Sequence, residues 1–96
     1  MNSFFDDLGE RFARAAARRG VEVEAPSLEP IVAQEVLELA RVAAHTQERR
    51  FAPLASFLAG VAAERMRQAG GPADAESVAA TIREIREELD VPPPAV

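Results

Sequence analysis

Between Pro53 and Glu64 the chain reads Leu-Ala-Ser-Phe-Leu-Ala-Gly-Val-Ala-Ala, so only Ser56 and Gly60 interrupt the apolar residues. No alternation of apolar and polar residues supports a strand there, and the segment is expected to be a helix. A helix that is apolar on every side has to be covered on every side. In a chain of 96 residues, which is one domain that can bury about 64% of its unfolded surface, the cover has two possible sources. Either this is the central helix of a small bundle, wrapped by the other helices, or part of it is an interface, in a homodimer or against another protein. The residues that would form the interface are Leu54, Phe57, Leu58 and Val61. Ser56 and Gly60, four apart, add a small stripe on which another backbone can approach closely. Both readings require the same residues, and spacing does not separate them.

The rest of the chain is also helical in pattern. A first segment, about residues 4–19, has Ser3 as its N-cap and an apolar face of Phe5, Leu8, Phe12 and Ala15. It ends on Arg18, Arg19 and Gly20, where cations suit the dipole and glycine suits the cap. Val21 to Pro26 is a connector, with Val21 and Val23 expected to pack on the core. The second segment, about 28–46, opens at Ser27 with Pro30 inside its first turn. Ile31 or Val32, then Val36, Leu39, Ala40 and Ala43, are its expected buried face. Glu29, Gln34, Glu35, Glu38 and Arg41 are expected to stay in water. Segment three, about 53–68, opens at Pro53 and stops at Gly70-Gly71-Pro72. Segment four, about 75–90, is capped by Asp74 and carries a narrow stripe of Val78, Ile82, Ile85 and Leu89. Its outer face offers Arg83–Glu87 and Arg86–Asp90 as i,i+4 pairs. The expectation is an all-α fold, an irregular four-helix bundle with an apolar third helix, over residues 1–91 as one domain. The Pro-rich tail, 92–96, is expected to be disordered.

Composition removes whole classes of chemistry. The sequence has no Cys, Lys, Trp or Tyr and one His. Thiol nucleophiles, thiolate zinc sites, Schiff-base lysines and the lysine of a phosphate-binding loop are therefore excluded. Ser56 or Ser77 with His45 lacks the Gly-x-Ser-x-Gly elbow and oxyanion loop of a serine hydrolase. The expectation is a protein with no catalytic residues, no metal site and no cofactor. His45 and Glu48, three apart, lack the repeated Glu-x-x-His pattern of carboxylate metal bundles. The net charge of −5 repels a phosphate backbone, and Arg14, Arg18 and Arg19 are diluted by Asp6, Asp7 and Glu10, so nucleic acid is not expected as a partner. The weakly polar stretch Ala52–Ala63 is short of the ~20 residues a membrane span needs. The opening MNSFFDDLGERF lacks the basic start of a signal peptide, which points to a cytoplasmic protein.

One constellation resembles a binding site. Arg41, His45, Arg49 and Arg50 cluster at the bend between segments two and three, beside a helix start whose N–H groups can hold an anion. The same residues also serve to satisfy the end of segment two, with Glu38 and Glu48 near enough to neutralise the arginines.

The run Val36–Arg65 contains Val-Leu-Glu-Leu-Ala-Arg at 36–41, Ala44-His45, Arg49, Ala-Pro-Leu at 52–54 and the helix Phe57–Ala63. In these landmarks it resembles a family of small uncharacterised bacterial helical domains, found alone or as a C-terminal extension of molybdenum cofactor guanylyltransferase. Arg50 and Phe51 depart from the family pattern, which has Pro after the bend arginine. The resemblance implies an accessory domain linked to molybdenum cofactor maturation or to a molybdoenzyme, with that guanylyltransferase or molybdoenzyme as partner. It supplies no catalytic residues. The leading expectation is thus a non-catalytic interaction domain. The alternative is a small anion or nucleotide-cofactor binder using the bend.

Overall fold

In a computed structural model the described residues are 3–90, and they form four helices with no strand among them. These are α1 (Ser3–Arg18), α2 (Pro30–Thr46), α3 (Phe51–Gln68) and α4 (Ala75–Leu89). The fold is all-α. The tail expected to be disordered, 92–96, lies outside the described residues. The chain divides into two units, Met1–Pro30 and Ile31–Val96.

The first unit is α1 with the connector that follows it. Ser3 is already helical instead of standing before the helix as a cap. At the other end Gly20, at φ +80, closes the helix. Its N–H donates to the Ala17 carbonyl at 3.0 Å, and the N–H of Val21 donates to Ala16 at 3.0 Å. These paired bonds satisfy the last carbonyls, and the left-handed residue between them is the reason for glycine. The connector then passes close to α1 at Gly9, the buried residue of that helix. A Cβ at Gly9 would overlap the Pro26 carbonyl. Val21 and Val23 do not lie on the core; both are exposed.

The second unit holds α2, α3 and α4. Helix α2 starts on Pro30 itself, in the position where its fixed φ fits and its missing N–H costs nothing. Its buried residues are Ala33, Glu35, Leu39, Val42 and Ala43. Val42 is the deepest large side chain, at 1% exposure. Of the alternatives Ile31 and Val32, Ile31 is exposed and Val32 half-buried. Glu35, expected in water, is 7% exposed. Helix α4 contributes Ala79 and Ile82 to the core. Its start is set by Asp74, whose carboxylate accepts from the Ser77 N–H at 3.1 Å and from the Ser77 hydroxyl at 2.7 Å. Both bonds hold the Asp74 carboxyl below its ordinary range. Helix α3 ends as α1 does: Gly70, at φ +85, sits between bonds from its own N–H to Arg67 and from Gly71 to Met66.

The apolar third helix has no buried residue. The most deeply buried helix of this unit is α2, so α3 is not a wrapped centre. Its half-buried residues include Ala52, Ala55, Ala59 and Ala63, while Leu54, Phe57 and Leu58 stand in water.

An exposed apolar stripe and groove on the third helix

Leu54, Phe57, Leu58 and Val61 follow the spacing i, i+3, i+4, i+7 and share one face of α3. Leu54 is 63% exposed, Phe57 74% and Leu58 68%, and Val61 is half-buried. Gly60, on the same helix, is exposed, and a Cβ there would meet nothing within 4 Å. Close packing within this chain therefore does not call for glycine at that position. The Ser56 hydroxyl donates to the Ala52 carbonyl at 2.9 Å, which leaves the helix surface without an unmet polar demand there.

On one side of this stripe lies a groove with a volume of about 260 Å³. One wall is α3, with Ala55, Leu58, Ala59, Ala62, Ala63 and Met66; the other is α4, with Val78, Thr81, Ile82, Ile85 and Leu89; Leu39 of α2 completes it. Thr81 is the sole polar residue of the lining, and its hydroxyl is spent on the Ser77 carbonyl at 2.9 Å. The groove offers its contents no hydrogen bond from a side chain. Alanines on one wall make the room, and the aliphatic stripe of α4 makes the other wall. The stripe on α4 marks one wall of this groove in the sequence, whereas the alanines of the other wall are there only part of a helix apolar on every side.

The residues of the α2–α3 bend are arranged differently. Arg41 donates to Glu38 at 3.1 Å and lies 3.9 Å from Asp90. Arg50 donates to Glu48 at 3.1 Å. His45 and Arg49 are exposed. Helix α3 begins at Phe51, two residues earlier than its proline suggests. The N–H of Phe51 is bonded to Glu48 at 3.0 Å and that of Ala52 to Arg49 at 3.2 Å, while Pro53 has none. The donors that a helix start would turn toward an anion are thus absent from its first three positions. The structure pairs two of the four predicted cations with carboxylates and leaves His45 and Arg49 as the bend's remaining donors.

A domain of unknown function, DUF6457, matches residues 5–93. The chain belongs to the DUF6457 family. The match takes in all of α2, α3 and α4 and most of α1, so the stripe and the groove both lie inside the DUF6457 domain. No curated protein and no solved structure matches the chain significantly. Among the described residues no group of three or more His, Asp or Glu could hold a metal ion. No helix there is long and apolar enough to cross a membrane.

Proposed function

We propose that this DUF6457 domain is a non-catalytic protein-interaction domain whose binding surface is the exposed face of α3. The observation that carries the reading is the combination of an apolar helix without a buried residue and three large side chains, Leu54, Phe57 and Leu58, turned into water on one stripe. Apolar surface of this kind is costly to keep wet and is typical of a surface that meets a partner. The resemblance of Val36–Arg65 supports an accessory role in molybdenum cofactor maturation, with the cofactor guanylyltransferase or a molybdoenzyme as the protein met, and a cytoplasmic setting for it. Self-association through the same stripe would serve such a role equally.

The test is sedimentation velocity of the purified chain, alone and mixed with the guanylyltransferase of the same organism. Association is expected in one of the two samples and is expected to vanish in Phe57→Glu and Leu58→Glu, with the helical circular dichroism spectrum retained. Association that survives both substitutions would remove α3 as the surface.

A further inference from the structure

We infer that the groove between α3 and α4 takes an amphipathic helix of a partner protein, apolar on the face that enters and basic along the flank that meets α4. This inference rests on the interaction reading above and names the chemistry of the partner. Three observations carry it.

The first is length. Ala55 to Met66 on α3 and Val78 to Leu89 on α4 each cover about 17 Å of helix axis, or three turns. A helix reading out anchors at i, i+3 or i+4, and i+7 fits a slot of this length. The second is the lining. Its one polar side chain, Thr81, already donates within α4, so the inserted face has to be apolar.

The third is charge along α4. Arg83 and Arg86 do not pair with Glu87 and Asp90 along α4; both turn to Glu35, at 2.9 and 3.3 Å. Glu87 is left without that compensation, while Asp90 lies 3.9 Å from Arg41. Glu84 stands three residues after Thr81, and Glu88 three after Ile85, so both follow the groove wall on its outer edge. Both are exposed, and no cation lies within ion-pair distance of either among the described residues. An acidic edge beside an apolar slot selects a helix with Lys or Arg on the matching flank and rejects one with Glu there.

The test uses two labelled peptides of about 18 residues, long enough to span the slot. They share a Leu/Ala face and differ in their flanks, all Lys in one and all Glu in the other. Fluorescence anisotropy with the full chain is expected to show binding of the Lys peptide and none of the Glu peptide. Ala59→Phe, which fills the slot, is expected to weaken the Lys peptide by about tenfold or more. The double variant Glu84→Lys/Glu88→Lys changes surface charge without touching the packing. It is expected to weaken the Lys peptide roughly fivefold and to admit the Glu peptide. Equal binding of both peptides, or binding of neither at millimolar concentration, would overturn the inference. So would a dimer of the chain alone that Ala59→Phe dissolves, because a second copy would then fill the slot. Phe57 lies outside the groove lining, so loss of association in Phe57→Glu together with failed peptide binding would end the groove proposal and leave the interaction reading standing.

Discussion

Glu35 on α2 accepts from Arg83 Nε at 2.9 Å and from Arg86 Nη2 at 3.3 Å, so one carboxylate clamps two successive turns of α4. The two arginines are not equivalent. The Arg83 side chain is 45% exposed and can draw on water, whereas Arg86 is 19% exposed and its Nε is buried without a hydrogen-bond partner. Removing the carboxylate charge would leave Arg86 poorly compensated. Glu35→Gln is therefore expected to lower stability by about 2 kcal/mol, read as a lower urea midpoint at unchanged slope.

The same pair sets a pH dependence. The hydrogen bond from Arg83 is the largest cause holding the Glu35 carboxyl below its ordinary range, while burial opposes it. A lowered folded value means that the unfolded chain takes up the proton first as pH falls. The stabilisation is thus fully present above the ordinary glutamate value of 4.5 and is lost as pH drops through the folded value. Asp7, Glu64 and Asp74 are shifted in the same direction by their own hydrogen bonds. Thermal melts are expected to fall steadily below pH 4.5, less steeply in Glu35→Gln than in the parent chain.

Two glycines should respond to alanine with opposite signs. At Gly60 the added Cβ meets nothing within 4 Å, so Gly60→Ala removes the helix penalty of glycine and is expected to stabilise by ~0.7 kcal/mol. At Gly9 the Cβ overlaps the Pro26 carbonyl, and the connector has to move off α1. Gly9→Ala is expected to cost about 1–3 kcal/mol. Paired thermal denaturation curves check both, and a stabilising Gly9→Ala would show that the connector is not held there.

Val42 is the one large side chain of the described core with almost no exposure. Val42→Ala deletes two methyl groups where surrounding helices relax only in part. A loss of about 2 kcal/mol is expected, against a change within ~0.5 kcal/mol for the exposed Leu37→Ala. Equal effects at the two positions would place the centre of the core elsewhere.

The glycine stops of α1 and α3 and the Asp74 cap of α4 are the most legible features, because each rests on bonds that reach only a few residues. Gly20 and Gly70 close α1 and α3 with the same pair of backbone bonds, and Asp74 caps α4 through Ser77. Pro30 is expected inside the first turn of a helix opening at Ser27, yet it is the first residue of α2. Pro53 suggests a start of α3 at that residue, yet the helix begins at Phe51, since a first turn tolerates proline at any of its early positions. The carboxylates near the bend arginines were also readable, being only two or three residues away from them. What became of the helix donors beside those arginines was not, because it depended on the turn from Glu48 to Ala52.

The sequence by itself determined that this chain is helical, where its helices stop, and that α3 carries more apolar residues than its polar ones can offset. Local hydrogen bonding and the 3.6-residue period decide those matters within one or two turns. The tertiary structure decided which helix is buried most deeply and what remains outside. It buried Val42 and Glu35 on α2, drew Arg83 and Arg86 across a separation of 48 and 51 residues, and left Leu54, Phe57 and Leu58 in water. Burial depends on which distant surfaces meet and on the volumes they bring. Hydrophobicity along one helix shows that cover is needed, but only packing shows which covering surfaces the chain supplies itself.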